Sequence, residues 1–448
     1  MLKGIAEILT DLPNFRRLSE NLRDGKKESL SILPSAKALV LGTLWREMHV
    51  PLLVVAPRPE DARRLYDQLR SYWGDDAPVH HFAELEALPF ERLTVDSSTT
   101  HQRLQALAAL VGVYSQQGPP LVVASVPGVA LKTLPPPAFH LTNGCQVVRH
   151  GDRIAIGSLL TRWAAMGYRM ERVTQVPGAM SRRGGIVDIF PVGEHLPVRL
   201  EFWGDVLESL RTFDPGTQRS LEPVEQTTVI PARELLPAQA EHPWIEQAIR
   251  NLDSSRCSSQ VWGRIEEELS MLMAGQDVED ANFYSGFFSR HSVLEFLPGQ
   301  ALLVVDQPTE VEQAFRELDS RSFQLREGKM DRRDLPGAFP SPYFVWEEVA
   351  ERLKQLPRRL DVSRWSGDQP ASFPFSQAPS FSGRMDSFLE EVRTRSQGGQ
   401  RVIAVTGHAQ RLQELMAEAG LGPSSVDALD QMPPPGSITL VHGALAEG

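Results

Sequence analysis

Three short, mainly apolar runs mark the chain, at positions 51–57, 301–306 and 401–406, and a helical pattern follows each of them. Continuous apolar runs of this length are typical of strands that are buried on both faces of a parallel sheet. After the first run, Glu60 and Asp61 fall in the first turn of the expected helix, where negative charge is favourable. The repeated order of strand and helix predicts an α/β fold with parallel sheets.

Between residues 138 and 235 the pattern changes to the two-residue period of half-buried strands. Apolar and polar residues alternate over 198–202, and Gly204-Asp205 then predicts a two-residue hairpin turn, because glycine readily adopts the positive φ of a type II′ turn. A regular register would place Glu201 opposite Glu208, which like charges disfavour. We therefore expect either a β-bulge in this hairpin or a basic group from a partner beside Glu201.

These changes of pattern predict an order of domains along the 448 residues, a length that suits three or four domains. We expect the first part of an α/β portion over 1–137, a β-rich insert over 138–235, the second part of the α/β portion over 236–350, a linker over 351–382 and a small α/β domain over 383–448. The sequence stops without a tail-like composition, which predicts that it is a fragment of a longer protein.

Composition excludes several classes of protein. The formal net charge of −11 argues against a surface that binds nucleic acid as a whole, so any such contact must be local. The sequence contains no run of eighteen apolar residues, so we expect no membrane span. The two cysteines, Cys145 and Cys257, are too few for a disulfide framework or a zinc site, and a reducing cytoplasm is the expected location.

An arginine-rich stretch contrasts with this acidic background. Seven arginines lie between residues 149 and 183, where there are only two acidic residues. One interpretation is a solvated face of a sheet. A protein-binding surface is favoured instead because the base is arginine and because Phe202 and Trp203 lie near Arg199, a composition that is typical of interface hot spots. Local DNA binding by the same stretch is a weaker alternative, and it predicts an affinity that falls steeply with salt.

Motifs for nucleotide chemistry are incomplete. A phosphate-binding loop needs glycines, then a lysine and a hydroxyl residue, but residues 35–42 offer Lys37 and Gly42 in the wrong order. No acidic pair follows an apolar strand to hold Mg²⁺. We therefore expect no cofactor and no enzyme activity in this chain. The alternative is a cryptic ATPase or helicase-like domain, in which Lys37 would be the only plausible phosphate ligand.

Several segments of the chain carry a resemblance to a known family. They are residues 183–191 (RGGIVDIFP), 198–205 (VRLEFWGD), 210–214 (LRTFD), 230–234 (IPARE), 51–57 and 441–448. The first three resemble the module shared by the excision-repair protein UvrB and the transcription-repair coupling factors (Mfd), and the others are similar to the coupling factors. UvrB has an intact phosphate-binding loop and the coupling factors have a degenerate one, so the resemblance favours the coupling factors and covers nearly the whole chain.

The resemblance implies a degenerate P-loop-NTPase-like parallel-sheet domain with a β-rich insert and a small C-terminal α/β domain. It also implies that the domain that binds RNA polymerase and the translocase that moves on double-stranded DNA lie beyond residue 448. ATP and Mg²⁺ would belong to that absent part. In the family the β-rich insert docks onto UvrA, the damage-recognition ATPase, and the protein's own C-terminal part competes for the same surface.

Residue by residue, the resemblance implies a set of UvrA-binding positions in this sequence. They are Arg169, Arg183, Arg199 and Glu201, with Phe190 and Phe202 packed beside them. Arginines that pair with carboxylates, and a glutamate that answers a basic group, would supply both orientation and specificity. The chain departs from UvrB at Ser181, where UvrB has a further arginine, and Arg182 would point to the opposite face of the strand.

Overall fold

The computed structural model describes residues 1–86, 88–93, 95–141, 144–237, 242–365, 372–381 and 383–445. Positions 366–371 and 382 of the expected linker, and the last three residues of the segment 441–448, lie outside the described residues. Among the described residues, no helix combines the length and the apolar composition that crossing a membrane requires.

Strands and helices alternate in the pattern that the apolar runs predict. The strands are β1 (Lys27–Ile32), β2 (Leu52–Ala56), β3 (Val79–Phe82), β4 (Leu121–Ser125), β5 (Gln146–Arg149), β6 (Arg169–Met170), β7 (Ala179–Arg183), β8 (Ile186–Ile189), β9 (Val198–Trp203), β10 (Val206–Phe213), β11 (Ser220–Pro223), β12 (Gln226–Val229), β13 (Leu302–Asp306), β14 (Arg359–Arg364), β15 (Val402–Thr406), β16 (Ser424–Val426) and β17 (Ile438–His442). The helices are α1 (Ala6–Thr10), α2 (Pro13–Arg23), α3 (Lys37–Met48), α4 (Pro59–Trp73), α5 (Ser97–Leu110), α6 (Val126–Ala130), α7 (Ile156–Ala165), α8 (His242–Arg250), α9 (Ser259–Met273), α10 (Ser285–Phe288), α11 (Pro308–Asp331), α12 (Trp346–Gln355), α13 (Met385–Gln397) and α14 (Ala409–Glu418).

A six-stranded parallel sheet is the centre of the α/β portion, in the order β1-β14-β13-β2-β4-β3. All five residues of β2, β4 and β13 are buried, as two-sided burial of apolar runs predicts. Alternate residues of β2 serve two cores: Leu53 and Val55 face one, and Leu52 and Val54 face the other. The three predicted strand–helix units, β2–α4, β13–α11 and β15–α14, are all present.

The prediction of a linker over 351–382 is wrong for residues 359–364. They form β14, which lies inside the parallel sheet between β1 and β13. Only Leu360 and Val362 of this strand are fully buried, and Arg359 forms an ion pair with Asp361 two residues away. The other central strands are recognised in the sequence by a continuous apolar run. In β14 the two charged residues interrupt such a run, so the strand was not predicted.

The β-rich insert contains two further sheets. The larger is six-stranded, in the order β11-β10-β9-β8-β7-β6, and is antiparallel except for the β6–β7 pair; β5 and β12 form an antiparallel ribbon. The core under the larger sheet, which includes Trp163 and Leu200, is continuous with one face of the parallel sheet. The insert is therefore fixed to the α/β portion by shared apolar packing.

The β9–β10 hairpin has both features that the sequence predicts, a two-residue turn at Gly204-Asp205 and a β-bulge. Trp203 pairs with Val206 across Gly204-Asp205, and Gly204 has φ of 59°. The register then shifts by one residue, so Glu201 faces Ser209 and Glu208 becomes the extra residue of a bulge. The bulge separates the two glutamates that a regular register would bring together.

Candidate docking face

The larger sheet of the insert has a core side and an outward side. Along β9, Val198 and Leu200 are buried in the core, whereas Arg199, Glu201 and Trp203 alternate with them on the opposite side. We call this opposite side the outer face. Residues that pair across strands share a side, so Asp188, opposite Arg199 in the register, also belongs to the outer face.

Asp188 is a buried carboxylate in the middle of the outer face. Its side chain is 1% exposed, and Arg199 binds it with two parallel bonds, Nε to Oδ1 at 2.8 Å and Nη2 to Oδ2 at 2.9 Å. The hydrogen bond to Asp188 raises the pKa of Arg199 above its ordinary value. The guanidinium also lies 4.7 Å from the ring centre of Phe213 and donates to the carbonyl of Gln218. Arg199, with its side chain 14% exposed, is thus engaged by its own domain.

Arg183 binds the same carboxylate but remains open to solvent. Its Nη2 lies 3.0 Å from Asp188 Oδ2, and its side chain is 58% exposed. It is the last residue of β7, before a two-residue turn in which Gly184 has φ of 61°. A Cβ on Gly185 would lie 2.9 Å from the carbonyl oxygen of Phe202, so the second turn position also requires glycine. The two glycines make this tight turn possible, and Arg183 lies directly before it.

Glu201 and the two phenylalanines have different surroundings. Glu201 is half-buried and accepts a hydrogen bond of 2.7 Å from the Ser209 hydroxyl, so the β-bulge supplies it with a neutral partner. Phe190 is buried, and Phe202 packs against the core from the edge. Phe202 alternates with Glu201 and lies on the same side of β9 as Val198 and Leu200, whereas Phe190 directly follows β8. Their role in packing beside the docking residues stays a prediction.

Arg169 lies apart from the other predicted residues. It pairs with Ala179 at the start of β7, four residues or roughly 13 Å along the strand from Arg183. Its Nε is 3.4 Å from Asp277 Oδ2, in the loop after α9, and Arg233 binds the same carboxylate. The hydrogen bond from Arg233, together with the charge of Arg169, lowers the pKa of Asp277 below its ordinary value. The structure thus brings Arg183, Arg199 and Glu201 together and places Arg169 at the other end of the sheet.

Ser181, the position at which UvrB has a further arginine, is buried. It pairs with Asp188 in the register, and its hydroxyl accepts a hydrogen bond of 3.1 Å from the hydroxyl of Thr174. The neighbouring Arg182 is exposed and donates to the carbonyl of Gly184. Arg182 therefore has no access to the buried position of Ser181.

Comparison with known proteins shows what this part of the chain is similar to. Residues 147–235 match the family model of the UvrB interaction domain. The transcription-repair-coupling factor of Bacillus subtilis is 23% identical over 467 residues, which cover 100% of this chain and 39% of that protein. The corresponding protein of Escherichia coli is 25% identical, covering 97% of this chain and 38% of its own length. The resemblance to the coupling factors is confirmed.

The excision-repair relative also matches. UvrABC system protein B of Photobacterium profundum is 24% identical over 456 residues, which cover 90% of this chain and 66% of that protein. The chain spans roughly two fifths of the length of the coupling factors described above. Residues 147–235 are called the UvrB interaction domain below, and its outer face carries Arg183, Arg199 and Glu201.

Sequence reasoning missed Asp188, which organises the outer face of the UvrB interaction domain. A signal was present, because Asp188 stands between Val187 and Ile189, two fully buried residues. A lone acid inside an apolar strand is a candidate for a buried ion pair, since an unpaired carboxylate would be costly there. Its partners could not be chosen from the sequence, where Arg199 is eleven residues away.

Outside the UvrB interaction domain, Lys37 is engaged by an internal partner. It is the first residue of α3, and its Nζ lies 2.6 Å from Oδ2 of Asp306, the last residue of β13. Burial raises the pKa of Asp306, and the nearby Lys37 opposes that shift. A phosphate at Lys37 would have to compete with this carboxylate, and nucleotide binding there stays a prediction. In the described part of the chain, no group of three or more histidine, cysteine or acidic side chains is arranged to hold a metal ion.

A variant of Asp277 tests whether its contact restrains Arg169. If the outer face docks onto UvrA, as the resemblance implies, and Arg169 takes part, Asp277→Asn should strengthen that binding up to about fivefold, because an exposed ion pair is worth ~0–1 kcal/mol. The depressed pKa of Asp277 means that the ion pair persists at neutral pH and is lost only as the pH falls below the usual carboxylate range.

The control for this prediction is Glu279→Gln, which removes the same charge from the same exposed loop. Equal strengthening by both variants would show an effect of net charge alone. An unchanged affinity in Asp277→Asn would show that the contact with Asp277 does not restrain Arg169.

Proposed function

We propose that this chain is the non-catalytic, UvrA-recruiting region of a transcription-repair coupling factor and that it acts in nucleotide excision repair. The supporting observation is the exposed Arg183, held on a buried carboxylate at the outer face of a segment that matches the UvrB interaction domain. The relatives are named for repair coupling and for the UvrABC system. A partner of the UvrA type would be common to a coupling factor and to a protein of the UvrABC system.

The electrostatics of the outer face suit a docking role. Asp188 accepts two hydrogen bonds from Arg199 and a third from Arg183, and this third bond orients the exposed Arg183 guanidinium. A guanidinium held in one geometry loses little conformational entropy when it binds a carboxylate on a partner. Glu201, half-buried 2.7 Å from Ser209, can in turn accept from a basic group on that partner. Such an interface favours one orientation of the bound protein.

Other parts of the proposal concern regions beyond this chain. RNA polymerase and double-stranded DNA would bind through those regions, which would also carry the ATP-driven translocase. The protein's own C-terminal part would cover the outer face until UvrA displaces it. The parallel-sheet portion would be a degenerate NTPase-like domain, in which the Lys37–Asp306 ion pair replaces a bound phosphate.

The test is the affinity of the full chain for purified UvrA, measured by titration calorimetry. Arg183→Ala should weaken binding by about thirtyfold or more, because leaving one partner of a desolvated ion pair unpaired costs ~2–5 kcal/mol. Glu201→Ala should weaken binding in the same direction. Arg250→Ala removes an arginine of similar exposure on α8, outside the UvrB interaction domain, and should bind as the wild type does. If Arg183→Ala and Glu201→Ala both bind UvrA as tightly as the wild type, the proposal is wrong.

A further inference from the structure

Trp203 is a large apolar side chain that the fold leaves in solvent. Its exposed fraction is 78%, the highest among the exposed large apolar residues that the structure describes. Phe202, the preceding residue, packs against the core, so β9 is anchored on one side and presents an indole on the other. Burying such a side chain at an interface would remove a large apolar area from water.

The backbone around Trp203 is fixed from two directions. The amide of Phe202 donates to the carbonyl of Gly185 at 2.9 Å, which joins the turn after β7 to the end of β9. On the other side, Arg153 forms a bridge with Val206, and the amide of Ile154 donates to the carbonyl of Asp205 at 2.7 Å. The two hairpin turns therefore lie side by side at one end of the sheet. An aromatic side chain on such a support has little backbone entropy to lose on binding.

Charged residues of both signs lie on and beside the two hairpin turns. Arg182 and Arg183 flank the first turn, and Arg153 lies beside the second. Asp205 in the second turn and Glu208 in the bulge are exposed as well. A phosphate backbone would be attracted by the arginines and repelled by the acids, whereas a protein surface can match both signs. The pattern favours a protein partner over a nucleic acid.

We propose that Trp203 is the apolar anchor of the docking face, filling an apolar pocket on the UvrA-type partner whose rim carries carboxylates that meet Arg183. The inference rests on the proposed function and adds the residue that carries most of the apolar contact. Tryptophan and arginine are the residues most enriched in interface hot spots, and hot spots pair with pockets that exclude water. The centre of the interface is then the pair of hairpin turns. Arg199 does not contact the partner in this arrangement but stabilises the sheet that carries the turns.

The test compares variants of the full chain in titrations with purified UvrA. Trp203→Ala should weaken binding about thirtyfold, the equivalent of a hot-spot effect of ~2 kcal/mol, while Trp203→Phe should keep most of the affinity. Phe323→Ala, which removes an exposed aromatic side chain of α11, is the matched control and should bind normally. Amide exchange of β9 in free Trp203→Ala should equal that of the wild type, because the side chain makes no core contact.

The outcomes separate this inference from the proposed function. If Trp203→Ala binds UvrA within about twofold of the wild type while Arg183→Ala loses binding, the anchor is refuted and the proposed function stands. If neither variant loses affinity, both ideas are wrong. Binding of duplex DNA that depends on Trp203 and falls steeply with salt, with UvrA affinity unchanged, would also overturn the inference in favour of a nucleic-acid contact.

Discussion

Replacing Asp188 with alanine should destabilise the UvrB interaction domain by about 3–5 kcal/mol. The side chain is 1% exposed and is the shared partner of Arg199 and Arg183. Its removal leaves the Arg199 guanidinium, itself mostly buried beside Phe213, without the carboxylate that binds it with two hydrogen bonds. An uncompensated buried charge is among the few causes of losses this large. The domain should open locally before the rest of the chain unfolds.

Native-state hydrogen exchange measures this effect strand by strand, which suits a chain with several cores. In Asp188→Ala the amides of β8 and β9 should exchange much faster, whereas those of β2 should be unchanged. Arg183→Ala is the matched control: it removes an arginine from the same carboxylate but keeps the Asp188–Arg199 pair, so it should change protection little. Wild-type protection of β9 in Asp188→Ala would contradict the role given to this carboxylate.

Replacing Arg103 with alanine should be as damaging, at about 3–5 kcal/mol. Arg103 is fully buried in α5, and its Nε lies 3.0 and 2.8 Å from the two carboxylate oxygens of Glu234. Its Nη1 donates to the carbonyl of Ala83 at 2.7 Å, and its guanidinium lies 4.0 Å from the ring centre of Phe82. Glu234 lies at the C-terminal end of the UvrB interaction domain, so this ion pair connects that domain to the α/β portion.

The test for Arg103 uses a second variant that removes the charge from both sides. In Arg103→Met combined with Glu234→Gln, no buried charge is left alone. The amide oxygen introduced at position 234 can still accept a hydrogen bond from the hydroxyl of Thr133, which in the wild type lies 2.9 Å from Glu234 Oε1. The double variant should therefore recover much of the amide protection of α5 that Arg103→Ala loses. If the amides of α5 lose equal protection in the single and the double variant, the prediction is wrong, and the loss comes from the packing of the Arg103 side chain and not from an unpaired buried charge.

The parallel sheet was predictable where its strands are apolar throughout. The strand β2 is such a run, and β13 is one up to its last residue, Asp306; burial on both faces demands apolar residues there. The hairpin turn at Gly204 and the bulge that separates Glu201 from Glu208 followed from local rules of conformation and charge. The strand β14 was missed because Arg359 and Asp361 interrupt its apolar residues, and the ion pair that makes them acceptable in a sheet is invisible in an apolar pattern.

The docking face was predictable only as a set of residues on one side of a strand. The two-residue period places Arg199 and Glu201 together, and the structure agrees. The period does not tell which arginine is exposed. That depends on contacts from other strands: Asp188 on β8 binds Arg199 with two bonds, and the carbonyl of Gln218 takes a third. Such choices of partner depend on the tertiary fold, so the sequence could not rank Arg183 above Arg199.

The most direct test of the central claim is a hydrogen-exchange footprint of UvrA on the full chain. Backbone amides in the turns at Gly184-Gly185 and Gly204-Asp205 are exposed and should exchange quickly in the free chain. On addition of saturating UvrA, exchange at both turns should slow, while exchange in β15 of the small C-terminal domain should not change. Protection confined to the parallel sheet or to the small domain, with both turns unaffected, would contradict the account.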